Sequence, residues 1–151
     1  MPRIDSVDED IIDSPPMAVY KALLDEVSGI TNWWMPSMAF KLKGDIPIDH
    51  VGAVYEATIN PTSRMNAKFF AKMTKLVEGK LIEEEVSGSF VGTASWTFEP
   101  INGKTRAKHR FNARTNGILY SIFSPFVNYR KNHSDIMKKG FKALNSYLSK
   151  K

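Results

Sequence analysis

Apolar positions recur along this chain with two different periods. From Met38 to Arg114 they fall at every second residue, interrupted by Asn60-Pro61-Thr62-Ser63, Glu78-Gly79, Ser87-Gly88-Ser89 and Asn102-Gly103. A period of two, broken by turn residues at strand-length intervals, predicts an antiparallel meander, and Asn-Gly is the preferred pair for a two-residue hairpin. Alternation also assigns faces. Phe40 and Leu42 oppose Lys41 and Lys43, Tyr55 and Ala57 oppose Glu56 and Thr58, and Phe69 and Met73 oppose Lys68 and Lys72, the first set of each facing inward. On the last strand Ala107, His109 and Phe111 face in, leaving Arg106, Lys108 and Arg110 in solvent.

The flanks read differently. Arg3 to Ile12 is strand-like but alternates imperfectly, with Ile4, Val7, Ile11 and Ile12 as its apolar set. Ser14 before Pro15 and Pro16 predicts a capped helix start, and the helix runs to about Asp25 with Met17, Tyr20 and Leu24, beside Val19 and Leu23, on its apolar face. Ser28 then caps a second, shorter helix through Asn32, Trp33 and Trp34, which Pro36 stops. At the far end, Met137, Phe141, Leu144 and Leu148 recur at helical spacing among Lys138, Lys139 and Lys142, which predicts a long amphipathic helix. Ile118 to Val127 is nearly all apolar around Pro125, either a kinked extension of that helix or a separate covering segment.

One strand, two short helices, about six more strands and a long final helix make an α+β chain of the helix-grip type. Its curved antiparallel sheet of about seven strands would wrap around the C-terminal helix. Residues 1–151 read as a single domain, and a chain of this length buries about 70% of its unfolded surface. Three stretches carry a family resemblance: Ile12-Asp13-Ser14-Pro15-Pro16-Met17-Ala18-Val19-Tyr20 with Trp33-Trp34, then Gly92-Thr93-Ala94-Ser95-Trp96-Thr97-Phe98-Glu99-Pro100, then Gly103-Lys104-Thr105-Arg106. In these the chain resembles the START-like (SRPBCC) superfamily of birch-allergen-like proteins, polyketide cyclases and coenzyme-Q-binding proteins. The resemblance implies an apolar ligand cavity between sheet and C-terminal helix, and it implies no shared catalytic signature.

Composition narrows the chemistry. The chain has no cysteine, which removes disulfides, thiolate nucleophiles and cysteine-ligated zinc and allows a reducing compartment. Four acidic residues between Met1 and Asp10, with no basic start or apolar stretch, argue against a signal peptide, and no run approaches the roughly 18 apolar residues of a membrane span. The expectation is a cytoplasmic protein without stable membrane insertion, of oligomeric state that the sequence leaves open. The net charge of +5, mostly from the C-terminal half, reads as a solubilising charge. Arg106, Lys108 and Arg110 could contact phosphates or anionic lipid headgroups, especially beside Lys68 and Lys72 if those strands come close, but most such rows are solvated faces and no Gly-rich phosphate loop or aromatic RNA-binding signature accompanies them, so no nucleic-acid partner is expected.

The expected ligand-binding residues are Phe40, Tyr55, Phe69, Met73, Trp96, Phe98, Phe111, Met137 and Phe141, whose aromatic and apolar side chains would bury a hydrophobic small molecule. Glu84 lies between Ile82 and Val86 on the inward face, while Glu83 and Glu85 point out. A buried carboxyl has its pKa raised by desolvation unless donors compensate, so Glu84 is the candidate acid. His109 is the inward-facing histidine, which could serve as general acid or base or hydrogen-bond a ligand oxygen. His50, in the loop after Asp45-Ile46-Pro47, and His133, at a helix start, offer no third ligand, so neither a metal nor a cofactor is expected. Three functions stand side by side. One is binding of a lipid, quinone or polyketide-like molecule; another is cyclase or dehydratase chemistry through Glu84 or His109. The third is a chaperone-activator-like protein-interaction module that uses the basic sheet face over a filled core.

Overall fold

The structure, a computed structural model, describes residues 3–64, 66–116 and 129–151. Its strands are β1 (Arg3–Ile12), β2 (Met38–Lys43), β3 (Val54–Ile59), β4 (Ala67–Val77), β5 (Leu81–Gly88), β6 (Phe90–Ile101) and β7 (Lys104–Thr115). Its helices are α1 (Pro16–Val27) and α2 (Tyr129–Ser149). All seven strands pair antiparallel in one sheet of order β1-β7-β6-β5-β4-β3-β2, so α1 and the loop after it carry the chain from one edge of the sheet to the other. α2 packs against β1 and α1 on the concave face. The predicted α+β helix-grip architecture is therefore the observed one. The segment Ile118 to Val127 lies outside the described residues.

The hairpin prediction holds strand by strand. Asn102 and Gly103 both adopt positive φ (48° and 82°), as a two-residue turn between twisted strands requires, and join the paired residues Ile101 and Lys104. The alternating residues face as predicted: Tyr55, Ala57, Phe69, Met73, Ala107, His109 and Phe111 are buried, while Lys41, Lys43, Lys68, Lys72, Lys108 and Arg110 are exposed.

β1 departs from its predicted apolar set. Ile4 and Ile12 are buried, but Val7 and Ile11 are 54% and 41% exposed, and Ser6 takes an inward place. The side-chain period of a strand is two, so Val7 and Ile11 share the outward parity of Arg3, Asp5 and Glu9, while Ile4, Ser6, Asp8 and Ile12 take the inward one.

The start of α1 also differs. Its N-cap is Pro15, in the extended region, and Ser14 makes no side-chain cap; instead the Ser14 carbonyl accepts the Thr105 hydroxyl at 2.7 Å. The second short helix does not form. Ser28 ends α1 as its C-cap, and Gly29 follows at φ 86°, where an added Cβ would lie 2.9 Å from the Phe40 carbonyl oxygen. The backbone N–H groups of Trp33 and Trp34, which a helix would have kept, donate instead to the Glu26 carboxylate at 3.0 and 2.9 Å, with the Thr31 hydroxyl at 2.7 Å. Glu26, 1% exposed on the last turn of α1, thus holds the tryptophan turn against the core.

Candidate functional site

The sheet curves away from α2 and leaves a cavity of about 750 Å³ between them. Its wall is mainly aromatic. Trp34, Phe40, Tyr55, Phe69, Phe90, Trp96 and Phe111 line it, together with Ile4, Val27, Met38, Val86, Ala94, Ile136 and Met137. Phe69, Phe90 and Phe111 meet edge to face with centroids 5.9 to 6.1 Å apart, and Trp34, Phe40, Tyr55 and Trp96 form a second linked group at 5.6 to 6.4 Å. Edge-to-face contacts of this kind are favourable and link the wall residues to one another. Asn60, Arg64 and Asn66 after β3 and Asn132, Asp135 and Lys139 on α2 also line it; all six are exposed and mark the rim.

Of the residues expected from the sequence to contact a ligand, Phe40, Tyr55, Phe69, Trp96, Phe111 and Met137 line this cavity. Met73, Phe98 and Phe141 are buried without lining it. Phe98 packs edge to face on Tyr20 at 5.7 Å, and Phe141 stands behind Trp96 at 5.9 Å. The sequence reading missed Trp34 and Phe90 as wall residues. Trp34 is brought in by the Glu26 turn and by Gly140 of α2, whose missing side chain leaves room for the indole.

Two polar groups interrupt the apolar wall. Glu84 is 2% exposed, and its carboxylate accepts the hydroxyl of Tyr55, which is itself buried. Burial raises the Glu84 pKa to about 7 against the opposing hydrogen bond, while burial and the neighbouring carboxylate push the Tyr55 phenol well above its ordinary value. The second group is His109, 6% exposed on β7, whose ring lies 4.6 Å from that of Trp96. Burial, then the nearby His133, hold His109 well below the usual histidine range, so its ring is neutral.

His133 stands beside it, against the expectation that only His109 faces the interior. Its ring stacks at 5.6 Å on His109 and at 4.8 Å on Phe111, and its Nδ1 lies 3.4 Å from the Asp8 carboxylate. Residues 133, 137 and 141 recur at four-residue intervals on one helical stripe, and that spacing from Met137 was the signal that could have found it. Asp8 was legible in the same way, by its parity with Ile4 and Ile12 on β1. His50 is elsewhere, exposed and paired with Asp49 at 2.6 Å. Among the described residues no three or more histidine, aspartate or glutamate side chains are grouped to hold a metal ion.

Among the described residues the basic row of β7 stands apart from the lysines of β4. β5 and β6 separate β7 from β4, so Lys68 and Lys72 do not join the β7 row. Arg106, Lys108 and Arg110 each meet an acid instead, Glu99 at 3.7 Å, Glu9 at 3.8 Å and Asp5 at 3.4 Å, with the side chains about half exposed. No helix among the described residues is long and apolar enough to cross a membrane.

Comparison with known proteins places this geometry. No family model matches the sequence, and no curated protein matches it either. Solved structures do match in shape. The structure of Ara h 8.0201 superposes with a TM-score of 0.69 at 15% identity, covering 99% of this chain and 100% of that one. The Zhui aromatase/cyclase from Streptomyces sp. R1128 gives 0.66 at 9% identity, covering 98% and 94%. Norcoclaurine synthase from Thalictrum flavum, in complex with dopamine and hydroxybenzaldehyde, gives 0.66 at 10% identity, covering 99% and 88%. With a seven-stranded antiparallel sheet curved over the long helix α2, this chain shares the helix-grip fold of these structures.

Proposed function

We propose that the protein binds a hydrophobic small molecule in the cavity between the sheet and α2. The observation that carries this reading is the cavity itself, about 750 Å³ of interior space walled by seven aromatic side chains. Pockets for small organic ligands occupy roughly 300 to 1,000 Å³ and combine apolar walls with a few fixed polar groups. Apolar burial supplies the affinity, and Tyr55, Glu84 and His109 supply orientation. A protein-interaction module built on a filled core is less well supported, because the interior is hollow and the basic row is paired with acids. The chain has no cysteine and needs no oxidising compartment, so the cytoplasm is the proposed setting.

The test is a panel of lipids, quinones and polycyclic aromatics, titrated against tryptophan fluorescence from Trp34 and Trp96 and checked by native mass spectrometry. One-to-one complexes with part of the panel are expected. Uniform failure to bind overturns the reading.

A second reading, an enzyme of cyclase or dehydratase type, is favoured by one observation: Glu84 has its pKa raised to about 7, where a carboxyl exchanges protons with a bound substrate at neutral pH. Two proteins of the same fold bear the names of an aromatase/cyclase and a synthase. Glu84→Gln with His109→Phe should then abolish turnover of a bound molecule while retaining its binding. Turnover that survives both changes sinks the acid-base assignment.

A further inference from the structure

Glu84 is a costly residue to place on the wall of this cavity. Among the described residues the acids that line it are Glu84 and Asp135, and Asp135 stands exposed on α2 while Glu84 is buried. Glu84 accepts the Tyr55 hydroxyl, and its pKa is governed by desolvation and by that hydrogen bond, with no cationic side chain to offset the burial. The lysine and arginine on the cavity wall, Lys139 and Arg64, are exposed at the rim, and His109 is neutral. A buried carboxyl is ordinarily matched by an opposite charge or by several donors, and an apolar side chain of similar volume would avoid its desolvation. The protein supplies one phenol and leaves the rest of the match open.

The rings around Glu84 indicate what completes it. Glu84 pairs with Ala94 and Ile82 with Trp96, so Trp96 is the diagonal neighbour of Glu84 across β5 and β6 on the same face. From the other side Tyr55 reaches Glu84 over Ala71. Tyr55 and Trp96 are also the two ends of a series of four rings: Tyr55 meets Phe40 at 5.9 Å, Phe40 meets Trp34 at 5.6 Å, and Trp34 meets Trp96 at 6.4 Å. All four line the cavity, and the carboxylate closes the circuit between its ends. Ala94, directly opposite Glu84, also lines the cavity and carries only a methyl group, which leaves room beside the carboxylate.

Aromatic rings attract cations through their quadrupoles, tryptophan most strongly, and a group of rings around one site is an arrangement that receives ligand ammonium groups. An anion in the same place adds a charge-assisted hydrogen bond. Desolvation of the carboxyl is already met in folding, so binding adds only that of the ligand, which the rings partly offset. A ligand carboxylate would instead meet a like charge in a low dielectric.

We infer that the cavity takes an apolar molecule bearing a protonated amine, whose ammonium group donates to Glu84 within the circuit of Tyr55, Phe40, Trp34 and Trp96. This rests on the binding function proposed above and specifies its ligand class.

The experiment uses three probes with one hydrocarbon body, naphthylethylamine, naphthylethanol and naphthylacetate, titrated calorimetrically against the full chain and Glu84→Gln. At pH 8 the wild type should bind the amine on the order of tenfold tighter than the alcohol, as a hydrogen bond between charged partners does, and the acetate weakest. An alkylammonium keeps its proton through this range much as a lysine does, whereas Glu84 loses its own near pH 7. The amine affinity should therefore rise on the order of tenfold from pH 6 to pH 8, with the alcohol affinity nearly level. Glu84→Gln should erase both the preference for the amine and its pH dependence. An amine that binds no tighter than the alcohol overturns the inference, and so does a preference that survives Glu84→Gln. Tightest binding of the acetate would put recognition at Arg64 and Lys139 and overturns it too. The wild-type comparison and its pH dependence decide the matter even if the variant does not fold. In each of these cases binding of the alcohol leaves the cavity function intact, whereas failure of all three probes counts against both.

Discussion

Tyr55 on β3 reaches over β4 and donates its phenolic hydrogen to the Glu84 carboxylate on β5, with both side chains buried on the concave face. The crossing is open because Ala71 pairs with Tyr55 on the intervening strand and presents only a methyl group. A phenol held there by a carboxyl is a proton donor matched to an acceptor in low dielectric, and the titration of that carboxyl should be visible in the stability of the whole protein.

The Glu84 pKa is raised from 4.5 to about 7, chiefly by desolvation. Between those values the folded state holds a proton that the unfolded chain has lost, so the contribution of this group is full below about 4.5 and is lost as pH rises through about 7. The loss is on the order of 3 kcal/mol at 1.36 kcal/mol per unit. Urea unfolding of Glu84→Gln, which keeps an acceptor for Tyr55 without the charge, should decline much less between pH 5 and pH 8 than the wild type. Parallel curves would show that the carboxyl is not desolvated.

The histidines act with the opposite sign. Burial lowers the pKa of both His109 and His133 below 6.5, so the unfolded chain takes up protons that the folded one refuses. Their contribution is present above pH 6.5 and is lost as pH falls below it. His109→Phe should flatten the acid limb of the stability profile measured by urea titration between pH 6.5 and pH 5.

Removing the Glu26 carboxylate should unseat the tryptophan turn. Glu26→Ala leaves the N–H groups of Trp33 and Trp34 and the Thr31 hydroxyl without their acceptor, and at about 1 kcal/mol for each of these three groups, the low end of the range because two of the bonds are only part-buried, the expected loss is about 3 kcal/mol. Chemical denaturation measures it. Because Trp34 is a cavity wall, the same variant should bind apolar probes more weakly.

Gly140 offers a sharper test of the contact between α2 and the turn. A Cβ there would overlap Cε2 and Cζ2 of the Trp34 indole, whose Nε1 donates to the Ile136 carbonyl at 3.2 Å. Helix propensity alone would favour Gly140→Ala by about 1 kcal/mol. Overpacking should reverse that sign and give a net loss of about 1 to 2 kcal/mol, read as a lowered thermal midpoint. A stabilised variant would mean that Trp34 yields freely.

How much of this was legible beforehand depended on the range of the signal. The inward positions of Tyr55, Phe69, Glu84, Trp96, His109 and Phe111 follow from a period of two, which is local to each strand. The absent second helix and the outward Val7 and Ile11 were misread where local composition competed with a distant partner. Glu26 outbid helical hydrogen bonding for the Trp33 and Trp34 amides, and pairing with β7 fixed the parity of β1 regardless of which of its residues were apolar.

By itself the sequence determined the meander, the amphipathic final helix, the α+β class and the faces of the alternating residues on the meander strands. These are properties of backbone geometry and hydrophobic period within a dozen residues. Only the tertiary structure decided that Asp8, His109 and His133 meet, that Tyr55 finds Glu84, and that space remains among the rings, because these depend on sheet order and curvature that set residues up to 125 positions apart against one another. Packing complementarity is a relation between surfaces, and no single stretch of chain encodes it.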